Sequence, residues 1–89
     1  MRKETVSSLT KKIAGCKQGL ALAKKETCKA IRDYSVSYWE KAILGHELTM
    51  AMLRGEPAMG WAMAKASAEI EHEKLVPAYN AALNAMRTN

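Results

Sequence analysis

The sequence predicts an all-α protein built around a long antiparallel helical hairpin, and three observations carry that expectation. The apolar residues are helix formers: there is no Phe, Met occurs six times, alanine is abundant and β-branched residues are sparse. No proline falls between Ser8 and Arg54, and apolar residues recur there at helical spacing. One strong break follows, Arg54-Gly55-Glu56-Pro57, with glycine suited to the position after a helix end and proline to the first turn of the next helix.

The first helix is expected from about residue 8 to 54, with Thr5 or Ser7 as its cap. Its stripe comprises Leu9, Ile13, Cys16, Leu20 and Ala23, then Ile31, Tyr34 and Tyr38, with Val36, Trp39 and Ile43 alongside. A hinge between Thr27 and Ala30 is conceivable, yet no breaker residue demands one. Residues 54–57 form the turn. The second helix runs from about 57 to 87 on a face that includes Ala62, Ala66, Glu69, His72, Val76, Tyr79, Leu83 and Met86. Pro77 removes the bond to the Glu73 carbonyl and kinks or restarts that helix. The 89 residues form one domain with a thin core.

Folding the chain about Gly55 and Glu56 places residues opposite each other when their numbers sum to about 111. Gly45 then faces Ala66, Trp39 faces His72, and Tyr34 faces Val76 or Tyr79. Residues before about 24 have no partner in the second helix. The stripe Leu9, Ile13, Cys16 and Leu20 on this overhang must be covered, either by folding back as a third helix or by another chain. A two-helix hairpin is also a poor core, so oligomerisation into a helical bundle, as a dimer or larger, is expected.

Charge is uneven. In residues 1–32, nine Lys and Arg oppose Glu4 and Glu26, a net of +7, whereas residues 33–89 carry a net of −2. Lys25, Lys29 and Arg32 lie with Lys11 on one helical strip. With the apolar stripe they form the expected partner-binding surface, Leu9, Ile13, Cys16, Leu20, Lys25, Lys29 and Arg32, directed at an acidic protein. The same strip suits nucleic-acid phosphates less well, because no reading helix or exposed aromatic platform accompanies it.

Other chemistry is sparse. No apolar run is long enough to span a membrane and no secretory signal is evident. Cys16 and Cys28, roughly 18 Å apart on one helix, read as reduced thiols of a cytoplasmic protein. His46-Glu47 lacks the second histidine of a zinc-protease motif. Neither cysteine has a histidine in register, so no catalytic set is expected. Gly15 and Gly19 are spaced for close helix packing, not for a phosphate loop.

Glu69 and His72, three apart on one helical face with Glu40 at the matching height across the hairpin, resemble half of a ferritin-like bundle, in particular the short two-helix ferritins that complete their site by dimerising. That resemblance implies a metal site at Glu40, Glu69 and His72; otherwise no cofactor is expected. In size, two-helix plan and lack of a catalytic set, the chain looks like small phage or mobile-element helical proteins such as antirepressors and host-system antagonists. The leading expectation is therefore a non-enzymatic protein-binding regulator. A metal-binding bundle comes second, and a basic nucleic-acid-binding protein third.

Overall fold

The computed structural model describes residues 5–87, and they are all-α, with four helices and no strand among them. Helix α1 (Val6–Ala23) opens on a reciprocal cap: the Ser8 amide donates to Thr5 Oγ1, and the Thr5 amide donates to Ser8 Oγ, both at 3.0 Å. This pairing satisfies two of the amide groups left without partners at a helix start.

The chain then turns, which corrects the expectation of one helix from 8 to 54. Residues 24–28 separate α1 from α2 (Lys29–Arg54). The last turn tightens, with the Lys25 and Glu26 amides donating to the Leu22 and Ala23 carbonyls at 3.1 Å. Glu26 holds the bend from both ends. Its carboxylate accepts the Cys28 amide at 3.2 Å, and its carbonyl accepts Arg32 Nη1 at 3.3 Å. A carboxylate at the start of α2 also complements the helix dipole. No glycine or proline marks the bend. The force behind it is the stripe on α1, which becomes buried only by folding back on α2.

Helix α2 ends as anticipated. Gly55 adopts φ +70° and its amide returns to the Met52 carbonyl at 3.2 Å. Helix α3 (Met59–Lys74) runs back antiparallel, and α4 (Val76–Arg87) follows after a break at Leu75. Pro77 sits in the first turn of α4, where a missing amide is tolerated. Tyr34 stacks on Tyr79 with ring centroids 3.8 Å apart, docking α4 onto α2.

Helix α2 is thus the shared centre. Trp39 meets α1 at Gly19, whereas Tyr34, Ser37 and Gly45 meet α3 and α4. At about 100° per residue these two sets lie on nearly opposite sides of α2. Among the described residues α1 and α3 make no close backbone approach. The buried apolar residues are few: Leu9, Cys16, Ala23, Ile43 and Ala51. The body is elongated, about 50 × 25 × 23 Å.

Candidate functional site

The apolar half of the expected partner surface is core. Leu9 is 1% exposed, Cys16 is buried, and Ile13 and Leu20 are half-buried between α1 and α2. The stripe has its cover within the chain, so the overhang that was to make it a docking surface does not exist. The basic half stays outside. Lys25 is exposed, Lys29 pairs with Asp33 at 2.6 Å, and Arg32, half-buried, serves the bend. Arg2, Lys3 and Glu4, also part of the basic segment, lie outside the described residues. Both cysteines are free.

Glu40, Glu69 and His72 do not converge. Glu40 is exposed on α2, and Glu69 is drawn to Lys65, whose ammonium holds its carboxyl below the usual range. No cluster of three or more His, Cys, Asp or Glu that could hold a metal occurs among the described residues. His72 is instead the one buried polar side chain among them, 6% exposed. Its Nδ1 shares a 3.1 Å hydrogen bond with Ser37 Oγ, and its ring lies 4.5 Å from that of Tyr34 and 6.3 Å from that of Tyr38. Burial pushes its pKa down, helped by the Lys41 ammonium. Trp39, expected opposite His72, points to α1. Trp39 and Ser37 are two residues apart and so face opposite ways.

A cleft of about 260 Å³ is lined by Ile13 and Lys17 of α1, Glu47, Met50 and Arg54 of α2, and Trp61 of α3. It is smaller than the roughly 300–1,000 Å³ of small-molecule sites. The larger feature is on the outside of α3. Met59, Met63 and Ile70 are 72%, 65% and 58% exposed, and Ala66 between them is exposed too. Their spacings of four, three and four residues match the seam of packed helices. They stand half a turn from Lys65 and His72, which face α2. The apolar side of helix α3 is therefore the outer one, away from the Lys65 and His72 side that meets α2.

Sequence reasoning missed this stripe because α3 already had an apolar face assigned to the hairpin. The signal was present in the numbers 59, 63 and 70, which no intrachain partner needed, while Ala66 had been assigned to Gly45. Comparison with protein families, with curated proteins and with solved structures finds no match to this chain.

Proposed function

We propose that this chain is a non-enzymatic protein-binding module whose binding surface is the outer face of α3. The observation behind this reading is the exposed stripe Met59, Met63, Ala66 and Ile70, spaced to receive another polypeptide's helix. Methionine suits such a surface because its unbranched thioether side chain adapts to the contours of a partner. A small centre at Ala66 lets a facing helix approach closely.

The basic edge supports a second, independent contact with an acidic protein surface. Helix α1 carries Lys11, Lys12 and Lys17 and no acidic residue, and it lies across α2 from the stripe. Charge there would speed encounter, while the α3 stripe would hold the complex. A polypeptide contact and an electrostatic contact on opposite sides suit a regulator that bridges two surfaces.

The test is cross-linked affinity purification of Met63→Glu/Ile70→Glu, with Leu22→Glu as control. Leu22 is an equally exposed apolar residue on α1. Bound polypeptide should disappear with the α3 variant and persist with the control. The reverse pattern would move the surface to α1 and overturn the reading.

A further inference from the structure

We propose that the rings of His72, Tyr34 and Tyr79 form an acid-sensitive latch, in which a proton taken up by His72 releases α4 from α2 while α1, α2 and α3 stay packed. The latch does not depend on the outer face of α3, because His72 lies on the side that meets α2.

Three helices each supply one ring. Tyr34 of α2 touches both of the others. Its centroid is 3.8 Å from that of Tyr79 on α4, in a stack, and 4.5 Å from that of His72 on α3, tilted at 42°. One tyrosine thus walls the imidazole and also carries α4, so any movement of Tyr34 bears on both.

The site suits the neutral imidazole. His72 is 6% exposed, and burial withholds the water that an imidazolium needs. Its bond to Ser37 survives protonation, because the serine hydroxyl can accept from a protonated Nδ1. The charge is what the site does not accommodate. From α2 the ring is faced by Tyr34, Tyr38 and the Lys41 ammonium, and from its own helix by Glu73. Helix α4 contributes Tyr79, stacked on Tyr34, and α1 makes no close approach to α3. Lys41 repels a proton on His72. Glu73 attracts it, but is exposed and screened by water. Glu69, one turn back, is committed to Lys65.

An imidazolium gains water through the opening that disturbs least, and that opening is α4. Helix α4 has no buried residue among those described, and Val76, Tyr79, Ala82 and Leu83 are only half-buried. Its joint to α3 is weak as well. The helix breaks at Leu75, whose amide turns back to the His72 carbonyl at 3.0 Å, and Pro77 has no amide to give to the Glu73 carbonyl. Helix α1, by contrast, seats Leu9, Cys16 and Ala23. Local opening falls to the element with the least buried surface. The docked state holds His72 below its ordinary 6.5 and the released state does not, so docking is complete above pH 6.5 and release is favoured as pH falls below it. Release bares Tyr34 on α2 together with Tyr79 and Leu83 on α4, an aromatic surface kept shut at neutral pH.

The experiment is NMR spectroscopy of the purified full chain as pH is lowered from neutrality, with the His72 ring signals assigned by their loss in His72→Gln. Across the His72 titration, the nuclear Overhauser contacts between the Tyr34 and Tyr79 rings should vanish. The α4 amides from Tyr79 to Leu83 should lose their protection from hydrogen exchange, while those from Leu9 to Leu20 in α1 keep theirs. His72→Gln, with no proton to take up in this range, should keep α4 docked throughout. In Tyr79→Ala, α4 should be unprotected at every pH and the His72 midpoint should move up toward 6.5. If His72→Gln does not fold, the unaltered chain and Tyr79→Ala still decide. Ring contacts and α4 protection that persist once His72 is protonated overturn the latch, as does loss of α1 and α4 protection in one step. A His72 ring that stays neutral until the whole chain unfolds also overturns it, and so does a midpoint unmoved in Tyr79→Ala.

Discussion

The indole of Trp39 sits over the α carbon of Gly19. A methyl group built at Gly19 would lie 2.5 Å from Trp39 Cε2 and 2.6 Å from Cζ2, closer than side-chain carbons approach. This contact fixes how α1 folds back on α2, because the largest side chain of the interface is admitted only where the facing helix has no side chain.

Gly19→Ala should therefore destabilise the protein by about 1–3 kcal/mol, the cost of overpacking, despite the gain in helix propensity. Gly15→Ala is the internal control. Nothing lies within 4 Å of a methyl group there, so the substitution should stabilise by about 0.5–1 kcal/mol. Urea denaturation of the two variants measures the difference. If both variants gain stability, Trp39 does not pack on α1 in solution.

The hairpin was legible in the sequence because its signals are local. Gly55 and Pro57 mark the turn, and the register follows by counting: Tyr34 does meet Tyr79, at a sum of 113, and Ser37 meets His72, at a sum of 109. The α1–α2 bend was legible only as one of two alternatives, a hinge between Thr27 and Ala30 with the overhang folded back as a third helix, because its cause is tertiary. Lys24 to Cys28 include no breaker, and the Glu26 carboxylate that holds the turn looks like any helical glutamate. Two misassignments follow from that bend, Leu9 as surface and Trp39 opposite His72, whereas Gly45 against Ala66 misses by one position, since the structure puts the Lys65 stem 3.4 Å from a methyl group built at Gly45. The three candidate metal ligands are not gathered within the described chain, for a different reason. Spacing put Glu69 and His72 on one face, but Lys65 at i−4 and Ser37 across the hairpin are nearer partners.

Gly55 is required by its backbone. At φ +70° an L side chain is strained. Gly55→Ala should cost about 1 kcal/mol or slightly more, with no loss of packing since nothing lies near its α carbon. Thermal melts of this variant should shift downward while the near-ultraviolet signal of Trp39 and Trp61 is kept. A melt unchanged from the parent would mean that the turn relaxes to another geometry.

His72 gives stability a pH dependence. Burial holds its imidazole below the ordinary value of 6.5, with Lys41 adding to the effect and Glu73 opposing it. The unfolded chain then binds a proton that the folded chain refuses. Stability is complete above pH 6.5 and declines as pH falls from 6.5 toward the lower folded-state value. Asp33 and Glu69, whose carboxyls are held down by hydrogen bonds from Lys29 and Lys65, lose their contribution only below their ordinary values of 3.8 and 4.5. Melting temperatures between pH 7.5 and 5.5 should thus fall, and His72→Gln, which keeps a partner for Ser37, should remove most of that slope. A slope that survives in the glutamine variant places the titrating group elsewhere.

The basic edge and the α1 stripe should separate cleanly under mutation. Leu9 is the most deeply enclosed large side chain among the described residues, so Leu9→Ala removes buried methyl groups and leaves a cavity, at about 2–5 kcal/mol. Small domains hold only about 5–15 kcal/mol in total, so this one change should bring the urea midpoint down sharply. Lys25→Glu alters an exposed position and should stay within about 0.5 kcal/mol of the parent. Lys29→Glu loses the ion pair to Asp33 and sets two acids one turn apart, a penalty of a few tenths of a kcal/mol at such an exposed site. The charge variants should instead weaken and flatten the salt dependence of retention on immobilised polyglutamate, a stand-in for an acidic protein surface. Leu9→Ala at a temperature where it stays folded should leave that retention unchanged, because it removes no charge. Equal urea midpoints for Leu9→Ala and the parent would mean that α1 is not seated on α2, and the stripe would return to being a surface in need of a partner.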